Sequence, residues 1–355
     1  MNSKIDKTQY LSFLDQIENT ATQTLNLNDR VLIIDGLNTF IRAHAVNPAL
    51  NDDGMHVGGL TGFLKSLRFT LEKLQPSRCI IVFDGKGGSK RRRKIFPEYK
   101  ANRRVRSKLN RHVDWSTAPV DEQQSMKMQM SRLIEYLEQL PLTLISIDDI
   151  EADDAIGYLS KQILVDSKIF IMSTDRDFLQ LVNDRIKVWS PTKKKLYDMQ
   201  SIQDEYTIHA NNYLLYRVLD GDKSDNIDGI KGAGIKSIIK YIEPLTRGDK
   251  FDLDDLIDYC KSSNKKIKLL ESINNNHKLI YRNYLLMQLS DVDIPNHIKL
   301  KIQGALNVPI PRLIKYKFQT MFLRDKLSSQ IKNFDNWITE FMRIDKIKEA
   351  SSSNE

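Results

Sequence analysis

Four short runs of apolar, largely β-branched residues, at 31–34, 79–83, 142–147 and 169–172, alternate with stretches of helical periodicity at 60–74, 123–140 and 153–164. Strands this apolar must be covered on both faces, and helix-length connections between them specify βαβ units. The fold class expected is therefore α/β, with a central, mainly parallel sheet flanked by helices. After residue 205 the strand pattern stops and the chain reads as helical, with a glycine-punctuated turn at 229–234, a lysine-rich helix at 254–273 and a polar tail at 346–355. Residues 1–28 read as a short helical preface with Tyr10, Leu11, Leu14 and Ile17 on one face.

An acid follows each apolar run. Asp35 closes the first, Asp84 the second, and Asp175 and Asp177 follow the fourth, while the third leads into Glu151, Asp153 and Asp154. One such Asp is ordinarily a turn residue or a helix N-cap. Four strands ending alike point instead to a pocket, because the carboxyl ends of parallel strands form the crevice of an open sheet. Asp222 and Asp225, at i and i+3, place two further carboxylates on one face. Two carboxylates about 4 Å apart repel by roughly 4 kcal/mol at an effective dielectric of 20, so such a set calls for cations. Oxygen ligands without histidine or cysteine favour Mg²⁺ or Mn²⁺ over zinc.

Charge is concentrated as well. Between residues 86 and 111, twelve lysines and arginines stand against one acid, Glu98, which makes this segment more positive than the whole chain at +8. It interrupts the βαβ pattern as a long insertion, of the kind that is usually functional inside a compact domain. Basic clusters bind phosphate backbones through counterion release. An acidic metal pocket beside a basic insertion suits metal-assisted hydrolysis of a phosphodiester. A phosphatase or a phosphate-binding regulator would have no need of so long a basic insertion. No Walker A or GxGxxG loop occurs, the six histidines are scattered singly, and the two cysteines, Cys79 and Cys260, sit in apolar runs without metal spacing. No apolar run is long enough to span a membrane, and the N-terminus is too polar for a signal peptide, so a cytoplasmic protein is expected.

The motifs VLIIDGLN (31–38), VFDG (82–85), FPEYKANR (96–103), EADDAIG (151–157), STDRDFLQLV (173–182) and GDKSDNIDGIKGAGIKS (221–237) resemble, in order and spacing, the flap endonuclease or 5′-nuclease superfamily. WSPTKKK (189–195) and DVDIPNHI (291–298) look like the ribonuclease H, a 5′ to 3′ exonuclease, of T-even bacteriophages. The resemblance implies a PIN-like catalytic domain at 29–205 with a helical arch at about 86–122, and a helical DNA-binding domain at 206–345 containing a helix-hairpin-helix (H3TH) element. It implies two Mg²⁺ ions, replaceable by Mn²⁺: Asp35, Asp84, Glu151 and Asp153 match the first site, with Asp154 beside them, and Asp175, Asp177, Asp222 and Asp225 the second. Lys100 matches the arch lysine that reaches the scissile phosphate, with Arg103 the next candidate. Arg91, Arg92, Arg93 and Arg104 would guide the strand, and Tyr99 either stacks on a base or packs at the arch base. Gly232, Gly234, Lys236 and Ser237 belong to the hairpin that receives a duplex phosphate, where the family can hold K⁺; Asp228 stands where the family commonly has proline.

The implied activity is structure-specific 5′ to 3′ exonuclease and flap cleavage of DNA or RNA/DNA duplexes, removing RNA primers and flaps in phage-type replication inside an infected bacterial cell. The partners implied are duplex and flapped DNA, RNA/DNA hybrids and a single-stranded-DNA-binding protein at the C-terminal region, with a monomeric chain and no membrane. A PIN-type endoribonuclease acting on single strands and a non-catalytic binder of branched DNA are the alternatives. The first would lack arch and hairpin, and the second has no use for concentrated acids beside a phosphate path.

Overall fold

The computed structural model describes residues 26–102, 109–263 and 266–352. Six strands, β1 (Arg30–Asp35), β2 (Arg78–Asp84), β3 (Thr143–Ile147), β4 (Lys168–Met172), β5 (Ile186–Ser190) and β6 (Lys195–Tyr197), form one sheet in the order β3-β2-β1-β4-β5-β6. The first five are parallel and β6 runs antiparallel to β5. The four expected strands are present, and the sheet gains an edge: β5 carries the buried Trp189, while β6 is three residues long. Along β1, Val31 and Ile33 belong to one core and Leu32 and Ile34 to the other, as the two-residue period of a doubly covered strand requires.

The first helices are α1 (Gly36–Val46), α2 (Gly58–Leu74), α3 (Lys90–Ile95), α4 (Glu122–Leu137) and α5 (Ala152–Tyr158). Helices α1, α2 and α4 cover the Leu32 face through Phe40, Phe63, Leu67 and Leu133, and α5 covers the Val31 face through Ala155 and Ile156. Where periodicity predicts helix to residue 164, α5 instead widens into a π turn at Leu159–Ile163. Just before it, a Cβ on Gly157 would lie 2.3 Å from the Leu289 carbonyl oxygen, so only glycine permits this approach.

Beyond β6 follow α6 (Met199–Tyr206), α7 (Tyr213–Asp220), α8 (Ile235–Tyr241), α9 (Leu253–Ser262), α10 (Lys268–Asn275), α11 (His277–Met287), α12 (Asn296–Asn307), α13 (Lys315–Arg324) and α14 (Phe334–Ser352). The single helix expected at 254–273 is two, α9 and α10. Helices α6 to α12 extend the core on the α5 face. The last two return to the opposite face, where Phe318, Phe322, Trp337 and Phe341 share a core with Leu64 and Leu133. Asp325 pins this return: it accepts from Arg132 Nε and Nη2 at 2.7 and 3.0 Å and from the Tyr136 hydroxyl at 2.8 Å. Helix α14 continues to Ser352 and takes in much of the expected polar tail. The segment expected as one helical domain thus divides its packing between both faces of the sheet. Among the described residues no helix is long and apolar enough to cross a membrane.

Candidate active site

In the strand order, β1 connects onward to β2 on one side, while β4 lies on its other side. The carboxyl ends of β1 and β4 therefore flank the switch point at which open sheets bind ligands. Asp35 ends β1 and caps α1, accepting from the Asn38 amide at 3.1 Å and from the Ser173 hydroxyl at 3.0 Å. Asp84 ends β2 and accepts at 2.8 Å from the Ala152 amide, one of the free N–H groups opening α5. Asp153 lies in the first turn of α5 and Asp175 follows β4. These four acids and Lys100 line one cavity of about 180 Å³, together with Asn38 and Arg42. Among the described residues no three His, Cys, Asp or Glu side chains converge on a single ligating point; the acids border the cavity.

Their electrostatics fit cations. Burial, then repulsion from Asp175 and Asp84, pushes the Asp35 carboxyl up to about 7. Burial followed by Asp35 and Asp175 raises Asp153, and burial raises Asp175, with Asp222 and Asp225 adding repulsion. Oxygen donors whose negative charges oppose one another are what a hard divalent ion relieves.

Glu151 and Asp154, in the same acidic motif, have a different setting. Arg92 bonds both carboxylates and gives its Nε to the Leu286 carbonyl at 2.8 Å, while Arg91 adds a second partner to Asp154. Lys100 Nζ meets Glu151 at 2.6 Å, and the Ser89 and Tyr99 hydroxyls donate to it. Burial alone would raise Glu151, but Arg92 and Lys100 outweigh it and hold the carboxyl at about 2. Arg92, expected as a strand contact, is only 3% exposed and is an internal counter-charge. Tyr99 is likewise buried, packed with Ile227, Leu286 and Met287. Arg93 and Lys94 are exposed. Arg103 and Arg104 lie outside the described residues, as does most of the helical preface.

Two of the remaining acids, with Asp220, gather on a residue that sequence reading misses. Arg217, buried in α7, bonds Asp177 through Nε at 2.8 Å, Asp222 through Nη2 at 2.7 Å and Asp220 through Nη1 at 3.2 Å. Burial raises Asp177 to about 7 despite this partner, whereas Ser224 and Arg217 lower Asp222 against its burial. Asp225 accepts from the Tyr99 hydroxyl at 3.0 Å and lies 4.0 Å from Lys100 Nζ, which joins this group to the arch. An arginine inside the apolar helix YLLYRVLD is itself a signal, since a buried guanidinium needs acids. Arg42 is a second omission: it stands two turns after Asp35 on α1 and lines both this cavity and a neighbouring one of about 410 Å³ with Arg176 and Lys223. Gly232 has φ +88°, Gly234 precedes α8, and Lys236 is exposed. Lys193 and Lys195 are held locally by Glu205.

Acids from several strand ends around one cavity, with a lysine of the basic insertion in its lining, define a phosphodiesterase of the nuclease class. The family described as the 5′-3′ exonuclease N-terminal resolvase-like domain matches residues 30–207. The chain belongs to that family, within the flap endonuclease and 5′-nuclease superfamily, and is a nuclease. It is 29% identical over 278 residues to a 5′-3′ exonuclease of Buchnera aphidicola, covering 77% of this chain and 91% of that one. It is 28% identical to the flap endonuclease Xni of Shewanella halifaxensis, over 77% and 97%. The fold resembles that of the bacteriophage T5 D15 flap endonuclease with a TM-score of 0.57 at 21% identity, covering 84% of this chain and 99% of that one.

Proposed function

We propose that this chain is a Mg²⁺-dependent, structure-specific 5′ to 3′ exonuclease and flap endonuclease that removes RNA primers and 5′ flaps in phage-type lagging-strand replication. The carrying observation is the convergence of Asp35, Asp84, Asp153 and Asp175 with Lys100 around one cavity at the switch point. The relatives named above as 5′-3′ exonucleases and flap endonuclease, the D15 structures with metal ions, and that of D15 with DNA and metal ions support the reading. Asp35, Asp84, Glu151 and Asp153 would hold one ion and Asp175, Asp177, Asp222 and Asp225 the other, with Asp154 holding Arg91 and Arg92 behind them. When bound, such ions supply an ionised water and neutralise the leaving oxygen.

The chain's own groups do the rest. Lys100 gives its ammonium to a non-bridging oxygen of the scissile phosphate, and Arg103 is the next donor in that role. Arg93 and Arg104 steer the strand by charge. Gly232 and Gly234 leave the hairpin backbone open to a duplex phosphate, which Lys236 and Ser237 help to hold. Recognition is by shape and backbone. Labelled 5′-flap, nicked RNA/DNA hybrid, blunt duplex and single-strand substrates, compared in Mg²⁺ and in chelator, test this. Cuts near the junction and at 5′ ends that vanish in chelator are expected, and Asp153→Asn should lose cleavage while still binding flap DNA. Full turnover in chelator, or equal cutting of single strands and duplexes, sinks it.

A further inference from the structure

The base of the arch is fastened to the loop that carries Asp222 and Asp225. That loop is closed on itself by paired backbone hydrogen bonds between Asp222 and Ile227, both 2.8 Å. Besides the Tyr99 hydroxyl bond to the Asp225 carboxylate, three hydrogen bonds join it to the arch. The Asn226 side-chain amide donates to the Glu98 carbonyl at 2.9 Å, the Lys100 amide to the Asp225 carbonyl at 2.9 Å, and the Asn102 side chain to the Lys223 carbonyl at 3.3 Å. Below them Ile227 packs with Tyr99, Leu286 and Met287.

The backbone at this junction is unusual on both sides. Lys100 has φ +59° and Asn226 φ +62°, both in the left-handed region. Asparagine tolerates it, but a lysine stays there only when its surroundings hold it. The same loop leads directly into the hairpin. The Ile230 amide donates to the Leu219 carbonyl at 2.7 Å, and a Cβ on Gly229 would lie 2.1 Å from the Asp220 carbonyl oxygen, so loop, hairpin and the end of α7 are packed as one block.

We propose that Asn226 is a positioning residue. Its amide, beside the Asp225 carbonyl, fixes the left-handed turn that aims Lys100 into the acidic cavity, and ties that aim to the block carrying the duplex-binding hairpin. This rests on the reading of Lys100 as the group that meets the scissile phosphate.

Asn226→Gly isolates the hydrogen bond, because glycine keeps the backbone conformation and removes only the amide. In single-turnover cleavage of 5′-flap DNA with Mg²⁺, this variant should be slowed about tenfold, the scale on which misplaced groups act. Its affinity for the same flap in chelator should stay within about twofold of the parent. In the Lys100→Ala background the substitution should add less than about twofold, since one group acts through the other. Asn226→Asp keeps shape and conformational tolerance but presents an acceptor to the Glu98 carbonyl; it should also be slow, and serves if the glycine variant does not fold. Parental rates for either Asn226 variant, or an undiminished loss in the Lys100→Ala background, overturn the inference alone. Parental cleavage by Lys100→Ala itself overturns the reading of Lys100 and this inference with it.

Discussion

At the scale of single residues, the site is a problem of paired and unpaired charge. Arg217 neutralises Asp177, Asp220 and Asp222 from a position 1% exposed, a guanidinium whose removal strands three carboxylates. Breaking such a buried network costs about 3 kcal/mol or more. Arg217→Met should therefore lower the thermal midpoint in chelator, and Mg²⁺ should recover part of the loss by occupying the acids that the arginine leaves, because a ligand of the native state stabilises it by mass action. A midpoint that ignores Mg²⁺ in the variant contradicts the assignment of Asp177 and Asp222 to an ion site. The contrast between Asp35 and Arg217 also shows what a sequence reveals. Asp35 is legible because it ends an apolar run, so its place at a strand terminus follows from local pattern. Arg217 is legible only as a charge that needs acids; which acids it meets depends on the 3₁₀ turn at Arg176–Leu181 being folded against α7, a tertiary fact. Arg92 misleads for a related reason: within a run of basic residues nothing local distinguishes the one that turns inward.

At the scale of elements, the basic insertion is anchored at two places. One is the Lys100 junction; the other is residues 109–115, where the Asn110 side chain donates to the His44 carbonyl at 2.8 Å and Trp115 stacks on the His44 ring at 6.0 Å. His44 is fully buried, neither ring nitrogen has a hydrogen-bond partner among the described residues, and burial, then His56, lowers it to about 4 although Glu122 opposes this. A histidine with a folded pKa below its ordinary 6.5 binds fewer protons folded than unfolded. Its contribution is whole above pH 6.5 and is lost as pH falls toward 4. His44→Phe should flatten that part of the profile of thermal midpoint against pH; an unchanged slope would show that the ring is not what titrates. The C-terminal helices are a second element-scale lesson. Their amphipathic pattern announces helices but not which face of the sheet receives them, and aromatic residues place α13 and α14 against α2. Phe341→Ala should cost about 3–5 kcal/mol of stability by denaturant melt. Cleavage below the melting range should persist, since Phe341 lies on the face opposite α5 and the hairpin.

At the scale of the whole molecule, charge is sorted by side. The acidic cavity is lined in part by Lys100, which belongs to an insertion whose basic residues have different fates. Lys90 is paired with Asp149, Arg91 and Arg92 with Asp154, and Lys100 with Glu151. Arg93 and Lys94 are exposed on α3, and neither has an acidic partner among the described residues. Only charges of this second kind can release counterions from a phosphate backbone at little cost, because the paired ones would first have to leave an acid. For every phosphate that goes unneutralised, the slope of log affinity against log salt on duplex DNA falls by about 0.9. Arg93→Ala with Lys94→Ala should thus shallow that slope by about 1 to 2 for flap DNA. Single-turnover cleavage of bound substrate should be unchanged, because neither residue lines the cavity. Arg92→Ala should behave oppositely, lowering stability while leaving the salt slope intact, as removal of an internal counter-charge does. If instead Arg92→Ala shallows the slope and the Arg93, Lys94 pair does not, the division between structural and steering charge in the arch is the reverse of the one the packing defines.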